Sequence, residues 1–282
     1  MNKYVNTNIT SGNKRLALNY GDSAAKETPD FWDSCAMGFA KKAHLPSERK
    51  ESETFLDRFS WENGETILDV GSGPGTFAIP LALRGCKVTA TDFSAEMLRL
   101  LQQQAAKENS PQIECKQGRW LNIDFSETFD TVICMSSLGV ISSDENHQMR
   151  LGDTLDKLRN LAKKRLIVLI PHADCHLSKE MQMVIGYEEI PVERQRIAFI
   201  FSEMVEHGLL PSLEFIEKPF RWVFKDVNEA CDTLLFKSGI ENLSPDKRSR
   251  LEDYLLKTAE KTEDGSMTMA WNTKQALFVA IK

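Results

Sequence analysis

Two acids bracket a run of alternating glycines. Asp69 stands two positions before Gly71, Gly73 and Gly75, and Asp92 closes the β-type segment that follows. Glycine has no Cβ, so a backbone built from it can turn tightly and still lie against a ligand. Asp92 falls where a carboxylate can accept hydrogen bonds from both hydroxyls of a ribose. The spacing Gly71-Ser72-Gly73-Pro74-Gly75 is not the G-x-G-x-x-G of a dinucleotide site. The negative charge of Asp69 gives nothing to a pyrophosphate, which is drawn to the positive end of a helix. It suits a nucleoside that carries a positive end.

A second chemical cluster is His172-Ala173-Asp174-Cys175-His176. Two histidines four apart share one face if helical, a spacing suited to zinc. Either histidine could also act as a general base, or the stretch could be a polar loop after a strand. No other histidine or cysteine pair supports a full zinc ligand set, so no metal site is expected.

The elements that must hold these groups alternate. Thr66–Val70 predicts a strand, Gly75–Arg84 a helix with a local kink at Pro80, and Lys87–Thr91 a second strand. Ser94 caps a helix with Met97, Leu98, Leu100, Leu101 and Ala105 as its apolar stripe. Ile113–Lys116, Thr131–Met135 and Arg165–Ile170 read as strands, the last continuously apolar as in a buried parallel strand. Asn146–Leu161 reads as an amphipathic helix. Before this core, residues 1 to about 29 read as an irregular arm. A helix capped by Asp30 and another over Ser47–Phe59 follow it. Phe31, Trp32 and Phe39 could cover a ligand or simply pack their helix. After Pro171, helices are expected over Pro191–His207, Asp226–Phe236 and Ser244–Thr258. Strands are expected over Leu213–Ile216, Arg221–Phe224 and Gln275–Ile281. Strands alternating with helices predict a doubly wound α/β sheet.

LDVGSGPGTFA followed by TATDFSAEML resembles the first two motifs of the class I S-adenosylmethionine (SAM)-dependent methyltransferases, clearly over Glu65–Leu101 and more weakly to Ile170. The resemblance implies a Rossmann-like, mostly parallel sheet with an antiparallel C-terminal edge strand, N-terminal helices and a C-terminal insertion. The expected divisions are an arm and helical lid over 1–60, a SAM-binding core over 61–170, a substrate-side insertion over 171–263 and a final strand over 264–282.

It also implies roles. Gly71, Ser72 and Gly73 approach the methionine part, Asp69 holds its amino group, Asp92 binds the ribose and Phe93 lies on the adenine. Gly118, Arg119 and Trp120 fall where the family meets the adenine edge, often with an acid after the glycine; this chain has Arg119 there. Trp120 could instead be core. Cys134 falls beside the transferable methyl group, with Ser136 and Ser137 as pocket walls or turn residues. The Asn/Asp-Pro-Pro-Tyr/Phe signature of amino-methylating enzymes is absent.

The chain has 282 residues with 35 basic and 41 acidic side chains, a net charge of −6 that does not attract nucleic acid. No apolar run reaches membrane-spanning length, and the N-terminus lacks a signal-peptide core. The six cysteines form no CxxC pair and read as free thiols of a reducing compartment. The expectation is a cytoplasmic enzyme that methylates a small molecule, releasing S-adenosylhomocysteine. A protein or RNA methyltransferase, a SAM-binding protein without turnover and an NAD-dependent oxidoreductase are the competing readings.

Overall fold

The computed structural model describes residues 28–172, 177–186, 191–238, 240, 243–261 and 266–282. Its centre is a sheet of β1 (Thr66–Val70), β2 (Lys87–Asp92), β3 (Glu114–Gln117), β4 (Phe129–Met135), β5 (Ala162–His172), β6 (Ser212–Phe224), β7 (Glu260–Lys261) and β8 (Met267–Ile281). The order is β3-β2-β1-β4-β5-β8-β6, and β7 pairs with β8.

β1 pairs in parallel with β2 (Thr66↔Lys87) and with β4 (Ile67↔Thr131). β2 is parallel to β3, and β4 to β5. Such strands are buried on both faces, which is why Ile67, Leu68, Val70, Val132, Ile133 and Leu166 form a continuous core. The C-terminal side changes direction. The Ser212 hydroxyl donates to the Val279 carbonyl and the Thr273 hydroxyl to the Lys218 carbonyl. The partner number on β8 falls from 279 to 273 as the number on β6 rises from 212 to 218, which requires the two strands to run antiparallel. The sheet is thus mostly parallel with antiparallel edge strands, a Rossmann-like doubly wound architecture.

The helices are α1 (Pro29–Ala43), α2 (Pro46–Leu56), α3 (Ala78–Leu83), α4 (Ala95–Lys107), α5 (Leu138–Ile141), α6 (Leu151–Leu161), α7 (Lys179–Val184), α8 (Pro191–Glu206), α9 (Val227–Lys237) and α10 (Pro245–Thr258). Several boundaries differ from the sequence expectation for physical reasons. α1 is capped by Thr28, whose hydroxyl accepts from the Phe31 N–H, and not by Asp30, which lies inside the first turn. α3 starts at Ala78, so Pro80 falls in the first turn, where backbone N–H groups have no intrahelical partner and a proline removes nothing. α6 starts at Leu151; the stretch before it is a turn in which Asp144 accepts from the Asn146 and Gln148 N–H groups. The two short β candidates around Pro219 are one strand, β6, at the sheet edge, where a missing N–H is tolerated.

The chain forms two compact units. One comprises residues 23–170, 201–213 and 277–282; the other includes 171–200 and 214–276. The latter has its own core, in which Met181, Cys231, Leu234, Leu251, Leu255 and Met269 pack together. Among the described residues, no helix is long and apolar enough to cross a membrane. The described cysteines, Cys35, Cys86, Cys115, Cys134 and Cys231, are free thiols.

Candidate functional site

β1 ends at Val70 and β2 at Asp92; β3 gives way to Gly118, and β4 to Ser136 and Ser137. These carboxyl ends form the crevice where open α/β sheets bind ligands. A pocket of about 310 Å³, open to solvent, lies there. Its walls include Gly71, Asp92, Phe93, Gly118, Arg119 and Trp120, all expected from the sequence, and Val140, Ile141 and Ser143, which were not.

The glycine turn is fixed by two separate constraints. Gly71 has φ +68°, and a Cβ there would lie 2.5 Å from the Ser137 Cβ. The backbone of β1 therefore passes against the turn after β4 with no room for a side chain. At Gly73 (φ +54°) a Cβ would meet nothing within 4 Å. That position faces open space, and its requirement for glycine is purely conformational.

Asp92 ties this turn to the next one. Its Oδ2 accepts from the Gly73 N–H at 2.9 Å, and its Oδ1 accepts from the Ser94 N–H at 2.9 Å. Each carboxylate oxygen keeps a lone pair for a further donor, so two hydroxyls on adjacent carbons can be taken at once. Burial pushes the Asp92 carboxyl up, while N–H groups of Ser94, Gly73 and Phe93 hold it down.

Asp69 is different. It is 1% exposed, and its Oδ2 is buried with no hydrogen-bond partner among the described residues. Burial, and then the nearby Asp92 charge, push its carboxyl up to about 7. The Ser72 hydroxyl, in the glycine turn that follows, is also buried with no partner among the described residues. The Ala78 N–H donates to the Asp69 carboxyl, but a buried carboxylate with its other oxygen unsatisfied is still costly unless something pairs with it. These two acceptors fit a cation that also donates hydrogen bonds, such as the ammonium of a methionine moiety. The residues present therefore fit SAM.

The remaining groups vary in their relation to the pocket. The Arg119 guanidinium lies over the Phe93 ring, 5.6 Å from its centroid. Trp120 is among the pocket-lining residues but is 4% exposed, and its ring packs on Phe125, with Lys157 Nζ 4.7 Å from its centroid. Cys134 is fully buried, 3.3 Å from the Ser137 hydroxyl, and its thiol is pushed up to about 12, chiefly by burial. It does not line the pocket. Ser137 is a turn brace whose hydroxyl donates to the Val70 carbonyl, whereas Ser136 is exposed with φ +62°. His172 ends β5, but its side chain, like all of His176, lies outside the described residues. Phe31, Trp32 and Phe39 do not line the pocket; Trp32 packs on Phe31 and Phe39 and against Ala36, Ala40, Met97 and Leu100.

Val140, Ile141 and Ser143 were missed because the stretch after β4 reads locally as a turn. The available signal was its place at the carboxyl end of a central strand.

A parallel Rossmann-like sheet with this glycine turn and paired acids defines a class I methyltransferase fold, with SAM as the cofactor. A family model described as "Methyltransferase domain" matches residues 67–159, a third of the chain, and the chain carries a SAM-dependent methyltransferase domain there. An uncharacterized protein of Haemophilus influenzae is 26% identical over 67% of this chain and 67% of its own length. A ubiquinone biosynthesis O-methyltransferase of Chromobacterium violaceum is 32% identical over 33% of this chain and 40% of its own. A Methanosphaera stadtmanae protein assigned as ribosomal RNA small subunit methyltransferase A is 24% identical over 68% of this chain and 74% of its own. Among solved structures, a Bacillus halodurans protein assigned as a candidate methyltransferase superposes with a TM-score of 0.50 at 17% identity, covering 84% of this chain and 99% of that one. That likeness establishes the shared fold.

Proposed function

We propose that this protein methylates a small-molecule acceptor in the cytoplasm. Asp69 and Ser72 hold the methionine ammonium, Asp92 the ribose hydroxyls and Phe93 the adenine face. Gly118, Arg119 and Trp120 border the adenine edge. Cys134 lies behind the transfer position, as a packed thiol next to Ser137. The observation that carries the cofactor assignment is the orphaned, buried Oδ2 of Asp69 beside the two-point cradle of Asp92.

When bound, SAM supplies an electrophilic methyl group on a sulfonium, which transfers by in-line displacement. The chain's contribution is to orient and exclude water. The Gly71–Ser137 contact fixes the turn, and the buried carboxylates fix both ends of the nucleoside. A general base is needed only where the acceptor must lose a proton, as a phenol or alcohol must; His172, at the end of β5, is the residue proposed for it. His176 is the alternative on the same segment.

The net charge of −6 and the absence of an Asn-Pro-Pro-Tyr-type signature favour a small acceptor. The likeness to an O-methyltransferase over 93 residues points the same way. The likeness to a ribosomal RNA methyltransferase keeps RNA as the second reading. The deciding experiment supplies SAM with a labelled methyl group to cell extract fractionated by size. Label is expected in the small-molecule fraction and should fall sharply with His172→Ala if a proton must leave. Nuclease-sensitive label in the large fraction would replace the small acceptor with RNA. Tight SAM binding with no label in any fraction would make the protein a SAM-binding module.

A further inference from the structure

α1 reaches the cofactor site through one acid. Asp33, on α1, accepts at Oδ1 from the Ser94 hydroxyl and, at 3.2 Å, from the Glu96 N–H. The Ser94 hydroxyl is already occupied as an acceptor, capping α4 by taking the Met97 N–H at 3.1 Å. Its own proton needs a partner, because Ser94 is completely buried. Asp33 supplies that partner from a helix 61 residues away in sequence. The backbone N–H of the same Ser94 donates to Asp92 Oδ1. A continuous chain of hydrogen bonds thus runs from Asp33 through Ser94 to Asp92. Packing of Trp32, Ala36 and Ala40 against Met97 and Leu100 holds the two helices in contact alongside it.

We propose that Asp33 is a positioning residue for the nucleoside: by fixing Ser94 it fixes the Asp92 carboxylate in the orientation that takes the ribose hydroxyls. This deepens the proposed cofactor assignment and rests on it. The N-terminal helix then serves the site through a polar brace and not through the aromatic cover its sequence suggests. Truncation of Asp33 removes an acceptor from the buried Ser94 hydroxyl and the part-buried Glu96 N–H at once, and the freed start of α4 can shift, carrying the Ser94 backbone N–H off Asp92. A positioning effect of this kind is specific to the part of the ligand that Asp92 holds.

The test is calorimetric titration with S-adenosylhomocysteine and with its 2′-deoxy analogue, below the melting temperature of each variant. Asp33→Ala should weaken S-adenosylhomocysteine on the order of tenfold and the deoxy analogue much less, because the two changes act on one interaction. Asp33→Asn should stay near wild type, since the amide oxygen accepts the same two bonds. Ser94→Ala, which keeps Asp33, should give the same ribose-selective loss and serves as the second variant if Asp33→Ala does not fold. Equal weakening of both ligands would reduce Asp33 to a general helix brace and overturn the proposal, as would wild-type affinity in Asp33→Ala. Failure of the wild-type protein to bind S-adenosylhomocysteine would instead overturn the cofactor assignment beneath it.

Discussion

Asp69 is a buried carboxyl with one oxygen unpartnered among the described residues, and the consequences can be worked out in sign. Its carboxyl is pushed up to about 7 in the free protein, against about 3.9 in an unfolded chain. A raised carboxyl favours the protonated native state, so its contribution to stability is present at low pH and is lost as pH rises through about 7. An ammonium partner requires the carboxylate instead. Affinity for S-adenosylhomocysteine should therefore increase from pH 5.5 to pH 7 and flatten above it; a flat profile by calorimetry would remove the ammonium role. Asp69→Asn should abolish the slope, weaken binding and stabilise the free protein at pH 8. Gly71 makes a second prediction at this scale. A methyl group there is both in the left-handed region and 2.5 Å from the Ser137 Cβ. Gly71→Ala should cost at least about 1–3 kcal/mol in denaturant unfolding. The paired test is Ser136→Gly, which relieves a φ of +62° and should be neutral or stabilising by up to about 1 kcal/mol.

Elements are held in register by polar contacts at the other end of the sheet. Arg165 of β5 donates to Glu65 Oε1 at 2.9 Å and to the Thr131 hydroxyl at 2.7 Å, while its guanidinium lies 4.4 Å from the Trp61 ring centroid. Thr131 in turn donates to Glu65. This group joins β1, β4 and β5 at the ends opposite the pocket. Arg165→Met would leave the Glu65 carboxylate, 3% exposed, without its charge partner. The expected cost is about 3–5 kcal/mol, because a buried charge stripped of its partner is worse than none. S-adenosylhomocysteine affinity of the folded variant should stay within about twofold; a larger drop would mean that the two ends of the sheet are coupled. Sequence periodicity located nearly every one of these elements. It shortened β8 and split β6, because Lys274 and Pro219 interrupt the apolar pattern while antiparallel pairing carries the strands through.

At the scale of the whole molecule, two cores have to form. Leu68 and Ile133 belong to the Rossmann-like unit, Leu234 and Leu251 to the other. Leu234→Ala, at a fully buried site, should cost about 2–5 kcal/mol of unfolding free energy. S-adenosylhomocysteine at a hundred times its Kd should restore about 2.7 kcal/mol to any fold that retains the cofactor site. Thermal unfolding with and without the ligand reads both effects. Absence of a ligand-induced rise in wild-type Tm would count against the nucleoside site as a whole.

Sequence by itself determined the class of fold and the cofactor. Asp69, the alternating glycines and Asp92 sit within 24 consecutive residues, so their relation is set by one βαβ unit and its local turn chemistry. The short helix that brings Val140, Ile141 and Ser143 to the pocket was not legible, because SSLGVISS is locally a turn and becomes a wall only at the end of β4. Neither was the brace from Asp33, since its partners lie 61 and 63 residues away and no periodicity links them. The aromatic residues beside Asp33 suggested cover; packing placed Trp32 against α4 and left the acid to reach Ser94. Local chemistry is written in neighbours along the chain, whereas walls and braces arise from neighbours in space, which only the tertiary structure selects.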